Sequence, residues 1–91
     1  NLVVLVPADG PQTRAMTRWA AAYQGPVYMR TGRSPAKRLF GDDHKFQIGK
    51  GEILRNGKHV TIVACGVEVA RALLIAELKL VAGAAQVRPL S

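Results

Sequence analysis

The chain has 91 residues, a formal net charge of +7 and apolar residues at 48% of its positions. This length allows one small domain or pieces of two, and the apolar content is sufficient for an aliphatic core. No apolar run reaches the ~18 residues of a membrane-spanning helix, neither end resembles a signal peptide, and the single cysteine excludes an internal disulfide. We therefore expect a cytoplasmic protein with no membrane partner.

The first third of the chain predicts a strand, a capped helix and a second strand. Leu2 to Val6 and Val27 to Met29 are unbroken apolar runs, which are typical of parallel strands buried on both faces. Between them, Asp9 is the predicted N-cap, and Gln12 completes a weak capping box. The helix is predicted to end before the breaker pair at 25–26. Its apolar face has helical spacing and comprises Met16, Trp19, Ala20 and Tyr23.

The middle of the chain predicts a linker followed by a hairpin. Residues 34–45 show no hydrophobic periodicity and are rich in turn-forming and charged residues, so we expect a flexible linker. Phe46 and Ile48 then alternate with polar residues in the manner of a strand. Asn56-Gly57 lies between two apolar runs, 53–54 and 60–64, and such a dipeptide predicts a β-hairpin.

The last third predicts a second strand–helix unit. A helix is predicted after Gly66, with one apolar face and a neighbouring group of residues that widens this face. Ala85 to Leu90 is predicted to begin another strand. The face comprises Val67, Ala70, Leu74, Leu78 and Val81, and the widening group comprises Ala72, Ile75 and Ala76. We therefore predict an α/β fold with parts of two open parallel sheets joined by a linker.

The positive charge is concentrated in the middle of the chain, where eight basic residues between positions 30 and 58 face three acids. Such a cluster indicates a site for nucleic acid or a phosphorylated small molecule, and a solvated basic loop explains it equally well. Few aromatic residues lie among the charges, which disfavours nucleic acid as a partner. His44, His59 and Cys65 match no catalytic or metal-binding motif; we expect exposed or edge histidines and a buried cysteine.

Two stretches resemble the transketolase family of thiamine diphosphate enzymes. The stretch "VVLVPADGPQTRAMTRWAAAYQGPVYMRTGR" resembles the last strand–helix–strand of the pyrimidine-binding domain. The stretch "FQIGKGEILRNGKHVTIVACGVEVARALLIAEL" resembles the start of the family's C-terminal domain. The first is most similar to split transketolases, in which the two halves of the enzyme are separate polypeptides. The resemblance implies that residues 1–33 form the end of the pyrimidine-binding domain and that residues 46–91 form the start of the C-terminal domain. Residues 34–45 would link the two.

The resemblance implies an activity to which this chain contributes only a part. Members transfer a two-carbon ketol unit between sugar phosphates with thiamine diphosphate and a divalent cation such as magnesium. The residues that hold and activate this cofactor in the family lie outside the matched stretches, so we expect the fragment alone to be inactive. The implied partners are the remainder of the enzyme or an N-terminal transketolase subunit, in an oligomer.

The resemblance also assigns two substrate-phosphate-binding residues. The family has a phosphate-binding arginine seven positions after the proline of this strand, and counting from Pro26 gives Arg33; Arg30 is the competing candidate. Guanidinium groups suit this task because they form paired hydrogen bonds with phosphate oxygens. Three alternatives to a transketolase function remain. Two are other thiamine diphosphate enzymes, namely deoxyxylulose phosphate synthase and a 2-oxo-acid dehydrogenase β subunit, and the third is a small basic module that binds anions or nucleic acid.

Overall fold

The computed structural model describes residues 1–77 and 85–89, and it contains two strand–helix–strand units. In the first unit, strand β1 (Val3–Leu5), helix α1 (Gly10–Ala22) and strand β2 (Val27–Met29) follow one another. In the second, strand β3 (Val60–Ala64), helix α2 (Glu68–Glu77) and strand β4 (Ala85–Pro89) repeat that order. The predicted α/β class is confirmed.

Both sheets have two parallel strands, as the unbroken apolar runs predicted. In the first sheet Val3 of β1 lies opposite Val27 of β2, and Leu5 lies opposite Met29. In the second sheet Val60 of β3 lies opposite Ala85 of β4, and Ala64 lies opposite Pro89. Parallel strands require a crossover between them, and each helix supplies one.

Helix α1 begins and ends where the sequence predicted. The N-cap is Asp9, whose Oδ1 accepts a hydrogen bond of 2.9 Å from the backbone N–H of Gln12. The second half of the capping box differs, because the Gln12 amide oxygen accepts from the N–H of Ala8 rather than from that of the cap residue. On the predicted apolar face Met16 is fully buried, whereas Tyr23 is 40% exposed and stacks on Trp19.

Helix α2 packs mainly through two residues of the group that widens the predicted apolar face, and not through the face itself. Ala72 and Ala76 of that group are buried together with Val69, whereas Val67 and Leu74 of the predicted face are 40% and 54% exposed. The helix is apolar around most of its circumference, so periodicity alone could not identify the side that contacts the sheet. Two residues of the predicted face, Leu78 and Val81, lie outside the described residues.

One hydrophobic cluster joins the two units. Ala8 after β1, Val69 and Ala72 of α2, and Phe40 of the intervening segment form its buried part. The partly buried residues packed against it are Leu39, Leu54, Ile62, Ala64 and Leu73. Residues 34–45 contain no helix or strand, but at Leu39 and Phe40 this segment is not the flexible linker that we expected.

The predicted hairpin is wrong. Residues 46–59 contain no strand, only an isolated bridge residue at Arg55, so Asn56-Gly57 joins no pair of antiparallel strands. A turn does occur at Gly49, whose φ of +77° favours glycine. Strand β3 pairs in parallel with β4 instead. Hairpin sequence signals report local turn preference, whereas the partner of a strand is decided by long-range packing.

The prediction that the strands are buried on both faces holds for only one face in this chain. Leu5 is fully buried, whereas Val4 and Tyr28 are 51% and 53% exposed. Val4 and Tyr28 are direct partners in the register of β1 and β2, so they form one uncovered apolar surface. Alternation within a strand explains why neighbouring residues differ so strongly in burial.

Candidate anion-binding site

The carboxylate of Asp9 organises the junction between the two units. Asp9 is only 3% exposed, and its Oδ2 accepts hydrogen bonds of 2.6 Å from the N–H of Leu39 and 2.7 Å from that of Phe40. Its Oδ1 simultaneously caps α1 at Gln12. The sequence predicted the cap but not the two bonds to a segment 30 residues away.

A depression of about 310 Å³ lies beside this junction, between the segment that follows β2 and the start of α2. Its cationic lining residues are Arg33 and Lys37 from the segment and Arg71 from α2. The rest of its wall is formed by Ala8, by Gly32 and residues 34–36 of the segment, by Val67 just before α2 and by Ala70 of α2. A smaller depression of about 120 Å³ adjoins Asp9 and the N-terminus of α1, and Gly32 lines both.

The two arginines assigned from the resemblance occupy different places. Arg33 is exposed and lines the depression, whereas Arg30 lines neither it nor the smaller one. The backbone N–H of Arg30 continues the sheet ladder by donating to the carbonyl of Leu5 at 3.0 Å. The structure therefore brings Arg33, but not Arg30, together with further cations.

Neighbouring acids neutralise only part of the basic cluster. Arg38 contacts Asp42 at 2.9 Å, and Arg14 contacts the same carboxylate at 3.4 Å. Arg71 pairs with Glu68 on the surface of α2. Within residues 1–77, Arg33 and Lys37 have no ion pair with an acid. These two side chains are therefore the ones that can give their full charge to an anion in the depression.

His44 is less exposed than the sequence predicted. Its ring stacks on Phe40 with a centroid distance of 4.0 Å, and its Nε2 is buried without a hydrogen-bond partner in the described part of the chain. It lines a third depression of about 240 Å³, separate from that of Arg33.

Cys65, predicted to be buried, is half-buried beyond the end of β3, and His59 is exposed as predicted.

The described residues offer no ready site for a metal ion. Across 1–77 and 85–89, no three histidine, cysteine, aspartate or glutamate residues lie close enough together to hold one. The described residues therefore supply no donor set for a divalent cation, which the resemblance places in other parts of the enzyme. In the same part of the chain, no helix has the length and apolarity needed to cross a membrane.

Comparison with known proteins identifies the family. The chain is 45% identical over 77 residues to the 6-deoxy-6-sulfo-D-fructose transketolase subunit of Clostridium sp. strain MSTE9. It is 40% identical over 80 residues to a protein of Methanocaldococcus jannaschii described as a transketolase C-terminal section. A solved split-gene transketolase, an inactive beta4 tetramer, superposes with a TM-score of 0.92 at 47% identity over 98% of this chain. The chain belongs to the transketolase family.

The transketolase match covers most of this chain but only part of each relative. The matches to the Clostridium and Methanocaldococcus relatives include 85% and 86% of this chain. They span only 24% and 25% of the lengths of those relatives, and the structural match spans 30% of the split-gene transketolase. A deoxyxylulose phosphate synthase of Pseudomonas putida strain W619 is 36% identical over 79 residues, which is 12% of its length. No protein-family model matches the chain.

Proposed function

We propose that the protein to which this chain contributes transfers a two-carbon ketol unit between sugar phosphates, as a transketolase. The observation that carries this proposal is the 45% identity to a transketolase subunit across 85% of the chain. The structural match to a split-gene transketolase over 98% of the chain supports it.

Within that activity, this chain binds the substrate phosphate through Arg33. The side chain lies just beyond the carboxyl end of β2, where ligands bind in open parallel sheets. Lys37 lines the same depression and adds a second positive charge. A planar guanidinium beside a flexible ammonium group provides both directed hydrogen bonds and neutralisation for a phosphate dianion.

Thiamine diphosphate and a divalent cation such as magnesium are held by other parts of the enzyme. The cofactor, when bound, supplies the electron sink for the carbanion chemistry. The chain contributes the end of the pyrimidine-binding domain at 1–33, a linker at 34–45 and the start of the C-terminal domain at 46–91. An N-terminal transketolase subunit, or the remainder of a fused chain, completes a cytoplasmic oligomer.

Two relatives define alternative substrates. The Clostridium relative is a subunit for a sulfonated sugar, and the 36% identity to 1-deoxy-D-xylulose-5-phosphate synthase favours synthesis of that sugar phosphate as the second candidate. Both alternatives retain an anionic group for Arg33 to bind. The full-length protein, with any partner subunit, should therefore be assayed on xylulose 5-phosphate with ribose 5-phosphate, on 6-deoxy-6-sulfofructose, and on pyruvate with glyceraldehyde 3-phosphate.

The role of Arg33 is tested by Arg33→Ala with Arg30→Ala as the matched control. Loss of a charge-assisted hydrogen bond costs ~1.5–3 kcal/mol, so kcat/KM for a phosphorylated donor should fall about 10- to 150-fold. A donor without phosphate should be little affected because it never made the contact. A phosphate-selective loss in Arg30→Ala alone would contradict the assignment, and equal losses for both donors would make Arg33 a structural residue.

A further inference from the structure

The carboxylate of Asp9 accepts more hydrogen bonds than an N-cap requires. One oxygen suffices to cap α1, and Asp9 uses Oδ1 for this purpose at Gln12. Its Oδ2 accepts from two consecutive backbone N–H groups, those of Leu39 and Phe40, at 2.6 and 2.7 Å. All three bonds are made by a side chain that is 3% exposed, so water hardly competes for them.

These bonds close a loop that carries the cationic residues of the depression. At its start, the N–H of Arg30 is held by the carbonyl of Leu5 at the end of β1. At its end, Leu39 is held by Asp9, which lies four positions after Leu5. Residues 31–38 lie between the two anchors, contain no helix or strand, and include Arg33 and Lys37.

We propose that Asp9 is a positioning residue that holds this loop, and with it the guanidinium of Arg33, over the depression. The proposal rests on the proposed function only in naming Arg33 as the phosphate-binding group. A loop fixed at one end samples many arrangements, and fixing the second end reduces the entropy that is lost when an anion binds. Asp9 itself does not contact the substrate.

Asp9→Ser separates the two roles of the residue. A serine hydroxyl is a good N-cap for α1, but it is a single, shorter acceptor that cannot also reach the N–H groups of Leu39 and Phe40. Gln12→Ala is the matched control, because it removes the hydrogen bond to the N–H of Ala8 and leaves the loop anchor in place. Both variants are made in the full-length protein with its partner subunit.

The first measurement is limited trypsin cleavage after Arg33, Lys37 and Arg38. In Asp9→Ser, cleavage at these sites should accelerate about tenfold or more, since opening is no longer opposed by two bonds to a charged acceptor. In Gln12→Ala the rate should remain close to that of the unmodified protein. Equal rates in the unmodified protein and Asp9→Ser, or equal acceleration in both variants, would overturn the proposal.

A measurement on the unmodified protein covers the case in which Asp9→Ser does not fold. Residue-resolved hydrogen exchange should show the amides of Leu39 and Phe40 exchanging about 100-fold more slowly than those of Ser34 and residues 36–38. Neither amide lies in a helix or strand, and the Asp9 carboxylate is the hydrogen-bond acceptor of both. In Asp9→Ser, where it folds, this protection should be lost although Phe40 itself is unchanged. Exchange of both amides at the rate of their neighbours would overturn the proposal.

Kinetics then connect the loop to substrate binding. Asp9→Ser should raise KM for a phosphorylated donor about tenfold with little change in kcat, and should spare a donor without phosphate. A general loss of structure would instead lower kcat equally for both donors, and that result would refute positioning. Because cleavage and exchange need no substrate, they decide the role of Asp9 even if the proposed transketolase activity is not found.

Discussion

Phe40 is the residue whose removal should most clearly separate the two units. Phe40 is 9% exposed and belongs to the buried cluster that also contains Ala8, Val69 and Ala72. No hydrophobic period in the sequence marks this position, so the perturbation tests a contact that only the structure shows.

The expected loss can be estimated from the contacts of the ring. Truncating a buried phenylalanine to alanine costs ~3–5 kcal/mol, because apolar contact is lost and a cavity remains. The stack on the His44 ring, with a centroid distance of 4.0 Å, is included in that loss and contributes ~0.5–1.5 kcal/mol of it. For a ring that retains slight exposure, we expect Phe40→Ala to cost about 3 kcal/mol, and Phe40→Leu about 1–1.5 kcal/mol.

The assay is hydrogen exchange of the full-length protein, which reports the free energy of local opening. The amides of α2 and of residues 39–44 should lose about 3 kcal/mol of protection in Phe40→Ala. Phe46→Ala is the matched control, because this half-buried ring makes an edge contact with Trp19 at 5.7 Å and should cost only ~1 kcal/mol. A loss in Phe40→Ala no larger than in this control would refute the shared core.

Two further predictions concern the backbone and the activity of the isolated chain. Gly66→Ala should destabilise the protein by ~2–3 kcal/mol, because its φ is +60° and the new Cβ would lie 2.9 Å from Val6 Cγ1. Gly49→Ala should cost only ~1 kcal/mol, since its φ is +77° but the space around it is open; equal losses in thermal unfolding would contradict this reasoning. The isolated 91-residue chain should not transfer ketol units from xylulose 5-phosphate to ribose 5-phosphate with thiamine diphosphate and magnesium, and turnover by the chain alone would refute the proposed division of the active site.

The sequence by itself determined the local features of this protein. Asp9 acts as an N-cap through a hydrogen bond spanning three residues, and Gly25-Pro26 follows the end of α1. Such features depend on backbone geometry and neighbouring side chains, which the sequence contains directly. The two apolar strand–helix patterns and the quoted motifs were likewise sufficient to predict the α/β class and the transketolase family.

Only the tertiary structure decided which surfaces meet. Nothing in the sequence around Phe40 indicates that it is buried, or that Asp9 binds its N–H across 31 positions. The buried side of α2 could not be predicted because several faces of this helix are equally apolar. The hairpin at Asn56-Gly57 failed for a similar reason, since the local sequence pattern is compatible with more than one strand partner. Which side chains are buried and which strands pair depends on the packing energy between segments. That packing energy depends on residues that are distant in the chain.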